Sequence, residues 1–144
     1  MTPGREEQWQ RPRAAGGAGK FRGGLGFHKS YRVLAPCELQ TNLDRTRFPP
    51  WGVQGGQEGK PGRFTVINGE TGAVRSIDKE KGFRLAVGDL VSVETGGGGG
   101  YGPPAERALE LIQRDLDAGY ISMEPAARDY DVSVGADGML IRRR

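Results

Sequence analysis

The sequence predicts an α+β fold, namely a small antiparallel β-barrel or sandwich of about six short strands, two short C-terminal helices and a terminal hairpin. Short β-prone runs recur roughly every ten residues between residues 31 and 95. After residue 104 the apolar residues switch to the spacing of an amphipathic helix. Glycine accounts for 25 of 144 residues, in clusters without a fixed period, which excludes collagen and favours loops between strands.

The predicted strands are short and are separated by turn signals. They cover residues 31–34, 38–43, 63–67, 73–77, 83–85 and 90–95. Because only residues 35–37 separate the first two strands, these are expected to pair as a hairpin. The dipeptide Asn68-Gly69 predicts a second hairpin between the strands at 63–67 and 73–77.

The C-terminal part of the chain is predicted to be helical. Apolar residues from Ala105 to Leu116 recur at helical spacing, and Gly119 is expected to end that helix. Ser122 is expected to cap a second short helix, and Asp137-Gly138 predicts the turn of the terminal hairpin. The predicted organisation is a flexible N-terminal tail (1–20), a β-rich domain (21–102) and a helical segment packed on it (103–144).

Composition excludes several classes of site. Cys37 and His28 are the single cysteine and the single histidine, so neither an internal disulfide nor a metal site is expected in this chain. No apolar run approaches the roughly 20 residues of a membrane helix, and the N-terminus does not resemble a secretory signal. These features predict a cytoplasmic protein. The basic stretch from Arg11 to Arg22 leaves a nucleic-acid-binding arm as an alternative, which its few aromatic residues disfavour.

Residues 96–102 contain five consecutive glycines followed by Tyr101-Gly102. Gly97, Gly99 and Gly102 match G-x-G-x-x-G, but the segment after the following helix is too short for the second parallel strand of a dinucleotide-binding fold. That fold is therefore not expected. The open alternatives are an anion-binding loop at a helix N-terminus, a hinge, a loop that closes over a substrate and a flexible connector.

The loop at 42–56 is the candidate site. Two consecutive prolines exclude a helix interior and a central strand, and three glycines permit close backbone approach. A stiff loop that also carries a carboxylate, two arginines and a tryptophan is typical of a functional site. The catalytic candidates are Asp44, Arg45 and Arg47, and the substrate-binding candidates are Pro50, Trp51, Gly52, Gly55 and Gly56. One alternative is a structural turn in which Trp51 fills a core edge and the arginines are merely solvated. Another is a structural pair between Asp44 and Arg45 that pins the loop.

Several different short motifs follow one another along the chain. They are Gly23-Gly24-Leu25-Gly26, Tyr31-Arg32-Val33-Leu34, Asp44-Arg45, Phe48-Pro49-Pro50-Trp51-Gly52 with Gly55-Gly56, Pro61-Gly62, Phe83-Arg84-Leu85, Gly88-Asp89, Glu94-Thr95, the glycine run with Tyr101-Gly102, and residues 122–130. Together they resemble the C-terminal portion of the hydantoinase B/5-oxoprolinase family over residues 16–138. Each motif is weak alone, but the shared order is specific.

The resemblance implies a part in the ATP-dependent opening of a cyclic amide of the hydantoin or 5-oxoproline type. Related members belong to acetone and acetophenone carboxylases. For the intact enzyme it implies ATP, a divalent metal, a small-molecule substrate and a hydantoinase A-like ATPase subunit as partner. Family members are several times longer, and their metal motifs lie in an N-terminal portion. The chain is therefore expected to be a fragment that lacks this portion and is inactive alone.

The resemblance also suggests roles for the candidate residues. Arg45 or Arg47 would bind a carboxylate or phosphoryl group through paired hydrogen bonds. Asp44 would orient that arginine or act as a general acid or base. The alternative function is a non-catalytic β-barrel module for binding or assembly in a carboxylase-type complex.

Overall fold

The computed structural model of the protein describes residues 4–10 and 15–143. Nine strands, one 3-10 helix and two α-helices lie within these residues. The first seven strands are β1 (Gly4–Gln10), β2 (His28–Val33), β3 (Cys37–Leu39), β4 (Arg63–Ile67), β5 (Val74–Ile77), β6 (Phe83–Leu85) and β7 (Leu90–Glu94). They are followed by the 3-10 helix (Pro104–Glu106), α1 (Leu109–Asp117), α2 (Met123–Tyr130), β8 (Val132–Val134) and β9 (Leu140–Arg142).

Five strands form one antiparallel sheet in the order β1-β2-β7-β4-β5, and β3 pairs with β6 in a separate ribbon. Side-chain alternation places Val33, Val66 and Val91 on one face of the large sheet, where they pack in one cluster with Leu85 of the ribbon. The two layers thus share an apolar core. The predicted α+β class is confirmed, and the sheets are arranged as a sandwich.

One predicted hairpin is wrong and the other is confirmed. Strand β2 pairs with β1 and β7, not with β3, and β3 ends at Leu39 instead of continuing to residue 43. The chain leaves the ribbon because the Thr41 hydroxyl donates to the Asp78 carbonyl at 2.5 Å and accepts from the Glu80 N–H at 2.8 Å. The hairpin at Asn68-Gly69 forms as predicted, with β4 and β5 paired antiparallel.

The N-terminal segment differs from the predicted flexible tail. Gly4–Gln10 is the edge strand β1. The sequence does not predict this strand, because the run G-R-E-E-Q-W-Q has no apolar alternation. Ala15 and Ala18 are buried. Within the basic stretch, Arg11 and Arg13 lie outside the described residues, whereas Lys20 and Arg22 form ion pairs with carboxylates of the same chain.

Three glycine-rich segments, residues 15–26, 52–62 and 96–102, form a layer that we call the glycine layer. The segment at 96–102 bonds to both others through its backbone. Its amides at positions 98 and 101 donate to the carbonyls of residues 24 and 21, and its amides at positions 97 and 100 donate to those of residues 60 and 57. Successive bonds are three residues apart, which is the period of a polyproline II-type helix. The segments are therefore paired backbone to backbone without forming regular strands.

Close approach explains why the layer contains glycine. A methyl group on Gly99 would lie 1.8 Å from the Trp51 carbonyl oxygen, and one on Gly97 would lie 1.9 Å from that of Ala15. These distances are far below van der Waals contact, so no larger residue fits there without moving the backbone. The glycine run is thus a packed element, which does not fit the hinge or the flexible connector among the alternatives that the sequence leaves open. It also does not precede an α-helix directly, because α1 begins only at Leu109.

The C-terminal elements cover a second apolar core. Ile112 of α1, Tyr130 of α2 and Val132 of β8 are almost fully buried together with Ala18 of the glycine layer. Strand β8 pairs with β9, which confirms the predicted terminal hairpin. Gly119 follows α1 with φ +68°, as expected for a residue that ends a helix.

An enclosed ion cluster ties α1 to the glycine layer. Asp115 of α1 accepts hydrogen bonds from Arg22 Nε at 2.9 Å and from Arg107 Nη2 at 2.8 Å. The side chains of Asp115 and Arg107 are only 4% and 6% exposed. Because removing one member would leave a buried charge without its partner, the cluster fixes the position of the helix.

Gly99→Ala is expected to lower the free energy of unfolding by about 3 kcal/mol, because the layer has no room for the added methyl group. The matched control is Gly24→Ala, whose methyl group would have no atom within 4 Å. The control should change the free energy of unfolding by less than about 1 kcal/mol. Urea denaturation followed by circular dichroism measures both values. Equal stability of the two variants would contradict the packing of the layer.

Candidate functional site

The candidate loop borders an open groove of about 620 Å³. The groove is lined by Leu43, Asp44, Arg45, Thr46, Arg47, Phe48, Asp78 and Lys79. The three predicted catalytic candidates therefore lie together, and two further charged residues come from the segment that follows β5. The wall of the groove that Asp78 and Lys79 form, opposite the candidate loop, is not predicted from the sequence.

Thr41 holds the two walls of the groove together. It is buried, and its backbone N–H donates to the Glu80 carbonyl at 2.9 Å, in addition to the two hydroxyl bonds to Asp78 and Glu80. Because a buried hydroxyl needs partners, these bonds place the 78–80 segment beside residues 43–47. The groove is thus a consequence of where β3 ends.

Two ion pairs cross the groove. Lys79 Nζ lies 2.6 Å from Asp44 Oδ1, and Arg47 Nη2 lies 2.7 Å from Asp78 Oδ2. The hydrogen bond from Lys79 lowers the pKa of Asp44, and the hydrogen bond from Arg47 lowers the pKa of Asp78. Both carboxylates are therefore ionised at neutral pH, which makes them weak general bases.

Arg45 differs from the other charged residues in its backbone and its contacts. Its φ is +62°, in the left-handed region, which costs a non-glycine residue roughly 1–2 kcal/mol. Its guanidinium carbon lies 4.6 Å from the centre of the Trp51 ring. Within residues 15–143, Arg45 forms no ion pair with a carboxylate. A guanidinium that lies over a ring and has no carboxylate partner can use its N–H groups to bind a planar anion.

The other predicted binding residues divide between the surface and the glycine layer. Trp51 is 67% exposed, so it does not fill a core edge, and Asp44 pairs with Lys79 instead of Arg45. The core-edge position of Trp51 and the Asp44–Arg45 pair are thus not observed, whereas Arg45 and Arg47 are exposed, as the structural alternative expects. Packing explains Gly52 and Gly56, whose added methyl groups would lie about 2 Å from backbone oxygens. The Pro50 carbonyl accepts from the Gly59 N–H, and Gly55 has φ +88°.

The single histidine lies outside the groove, on strand β2. Its Nε2 is 2.7 Å from Ser92 Oγ and 3.2 Å from Ser30 Oγ. In the part of the chain that the structure describes, no three His, Cys, Asp or Glu side chains are placed to hold a metal ion. No step through a metal is assigned to these residues.

Among the described helices, none is long and apolar enough to cross a membrane.

The sequence missed three residues that shape the groove. Asp78 and Lys79 belong to a charged run, D-K-E-K, that resembles an ordinary solvated turn. Thr41 falls within the strand predicted at 38–43, so the sequence gives no sign that it joins two loops. The pairing of Lys79 with Asp44 joins positions 35 residues apart, and no local spacing rule reports such a contact.

Comparison with solved structures defines the class of fold. The ATP-dependent caprolactamase from Pseudomonas jessenii matches 95% of this chain with a TM-score of 0.80 and 23% identity, over 24% of its own chain. A nucleotide-free acetone carboxylase structure matches 96% of this chain with a TM-score of 0.71 and 21% identity, over 23% of its own chain. These similarities show that the chain has the fold of a domain of these larger proteins.

Sequence comparison shows the family. Residues 1–104 match the family model for Hydantoinase B/oxoprolinase, and the chain belongs to that family. An uncharacterized protein of Methanocaldococcus jannaschii is 42% identical over 120 residues, which are 83% of this chain and 21% of the relative. The B-type subunit of a putative D-/L-hydantoinase from a Pseudomonas species is 32% identical over 117 residues, 81% of this chain and 20% of the relative. The chain thus spans about a fifth of these relatives.

Lys79→Gln is expected to raise the pKa of Asp44 toward its ordinary value, because the ammonium group that stabilises the carboxylate is removed. Arg47→Gln is the matched control and should raise the pKa of Asp78 while leaving that of Asp44 unchanged. Titration of the carboxyl carbons by NMR measures both. A pKa of Asp44 that does not respond to Lys79→Gln would contradict the ion pair.

The ion pair between Asp44 and Lys79 also makes the stability of the fold depend on pH in the acid range. Because folding lowers the pKa of Asp44, the pair stabilises the fold above the ordinary aspartate pKa. This stabilisation is lost as the pH falls through the lowered value.

Proposed function

We propose that this chain supplies one domain of a hydantoinase B/oxoprolinase-type subunit that takes part in the ATP-dependent hydrolytic opening of a cyclic amide. The observation that carries the proposal is Arg45, which has a strained backbone and lies over the Trp51 ring in the groove of a chain that belongs to this family. The hydantoinase and the caprolactamase among its relatives are named for cyclic amides, and the caprolactamase is ATP-dependent. The chain is expected to be inactive without the remainder of a B-type subunit and an A-type ATPase subunit, in a cytoplasmic complex.

Arg45 is the residue to which we assign anion binding. Its guanidinium edge would donate paired hydrogen bonds to a carboxylate or phosphoryl group of the activated substrate. Arg47 is less suited, because two of its nitrogens already donate to Asp78. Asp44 is assigned to hold Lys79, since an ionised carboxylate that accepts from an ammonium group is a poor proton acceptor.

The exposed rings beside Arg45 fit a flat, partly apolar substrate. Phe48 lines the groove and is 78% exposed, and Trp51 lies under the guanidinium. A small ring could rest on such a surface while its charged group contacts Arg45. The described residues of this chain include no group of three His, Cys, Asp or Glu side chains that could hold a metal ion. The divalent metal and ATP of the intact enzyme are implied by the family resemblance alone.

A second candidate function is supported by the structural similarity to acetone carboxylase. In this alternative the chain is a non-catalytic module for binding or assembly in a carboxylase-type complex. The groove residues would then affect neither ring opening nor carboxylation. The two candidates differ in whether replacement of Arg45 changes turnover.

The test is reconstitution of the chain with an A-type ATPase subunit and the remaining part of a B-type subunit. Turnover of hydantoin, 5-oxoproline and caprolactam is measured together with ATP hydrolysis. Arg45→Gly removes the guanidinium and also relieves the left-handed backbone, so the fold should be retained. This variant should lower ring opening about 10- to 100-fold, because a charge-assisted hydrogen bond contributes roughly 1.5–3 kcal/mol.

Two further variants complete the test. Arg45→Lys keeps the charge but not the planar pair of donors, and it should recover only part of the activity. Arg84→Ala is the matched control, because Arg84 is an exposed arginine on β6 that does not line the groove. Full turnover with Arg45→Gly would overturn the assignment and support the assembly module.

A further inference from the structure

Three exposed apolar side chains form a patch at one end of the glycine layer. They are Phe21, Val53 and Tyr101, and they are 58%, 46% and 52% exposed. Tyr101 forms an antiparallel bridge with Phe21 and a parallel bridge with Val53. Because bridged residues project to the same side of the backbone, the three side chains lie on one surface, and the Phe21 and Tyr101 ring centres are 6.3 Å apart. We call this surface the aromatic patch.

Backbone hydrogen bonds within the glycine layer hold the residues of the aromatic patch in place. Phe21 and Tyr101 exchange two backbone hydrogen bonds, at 3.0 and 2.9 Å, and the Val53 N–H donates to the Gly100 carbonyl at 2.9 Å. The glycine layer therefore fixes the backbone of all three residues. Rigid, exposed aromatic side chains bind partners with little loss of conformational entropy, and such residues carry much of the energy of protein interfaces. The exposed ion pair between Lys20 and Glu106 involves the residue next to Phe21 and supplies a polar rim.

Resting on the proposed function, we propose that the aromatic patch is the docking surface for the remainder of a hydantoinase B-type subunit. The relatives are about five times longer than the segment they share with this chain, so most of their length is available to cover it. The solved neighbours share this domain over only 23% and 24% of their chains. A patch of two aromatic rings and a valine requires an apolar surface, which the interior contact between parts of one subunit provides.

The probe is the Methanocaldococcus jannaschii relative with its aligned segment deleted, because it is 42% identical to this chain over that segment. Circular dichroism and sedimentation verify that the deleted relative is folded before titration. If it does not fold alone, it is co-expressed with this chain or with each variant, and recovery of the two chains in one complex replaces the titration. Binding of the full chain to this probe is measured by isothermal titration calorimetry, without ATP or substrate. We expect a stable one-to-one complex with the deleted relative. The intact relative should not bind, because its own segment occupies the surface.

Two patch variants and one control test the surface. Phe21→Gln and Tyr101→Gln should each weaken binding about 10-fold or more, as for buried aromatic residues at interface centres. Leu34→Gln is the matched control, since Leu34 is 57% exposed, like Phe21. Leu34 follows the C-terminal end of β2, whereas Phe21 precedes the start of that strand. It should leave the affinity unchanged. Circular dichroism of each variant verifies that the fold is retained.

The outcomes separate this proposal from the proposed function. Binding that depends on Phe21 and Tyr101, without ring opening in the reconstituted system, would retain the docking surface and reject the catalytic role. No complex with the deleted relative, or a complex indifferent to both variants, would overturn the docking surface. If the chain alone is a dimer in sedimentation experiments and Tyr101→Gln makes it a monomer, a second copy covers the patch and the proposal fails.

Discussion

Direct contact between three glycine-rich backbones is the constraint on which the rest of the structure depends. In the glycine layer, carbonyl oxygens lie where the side chains of any other residue would begin, as at Gly99 against Trp51. The buried peptide groups are satisfied by hydrogen bonds between segments, so the layer replaces side-chain packing with backbone pairing. It shares Ala18 with the core beneath α1 and α2.

The same layer supports both proposed functional surfaces. The site loop enters the layer at Trp51 and Gly52. The Gly62 N–H donates to the Arg45 carbonyl, so the layer is bonded directly to the strained residue. The aromatic patch projects from the layer through Phe21 and Tyr101. A rigid backbone that carries exposed side chains can keep Arg45 in an unfavourable conformation, which a flexible loop would relax.

Predictions based on side-chain patterns succeeded where side chains decide the structure. The strand at 63–67 and its hairpin at Asn68 follow from apolar periodicity and turn chemistry, and both are observed. The amphipathic helix is observed too, but it begins at Leu109, since Pro104–Glu106 form a separate 3-10 helix. The glycine layer could not be predicted in this way, because its structure depends on the absence of side chains and on bonds between distant segments. The groove was found only in part: Arg45 and Asp44 lie in a distinctive loop, whereas Lys79 reaches them through the fold.

Amide hydrogen exchange tests the central claim most directly. If the glycine layer is a packed, hydrogen-bonded element, the amides of Gly97, Gly98 and Gly100 will exchange as slowly as those of the central strand β7. These glycines should be resolved individually by NMR, and their protection should be lost together with that of Gln57 and Lys60 as denaturant is added. Exchange of the glycine amides at the rate of an unstructured peptide, while β7 stays protected, would contradict the account.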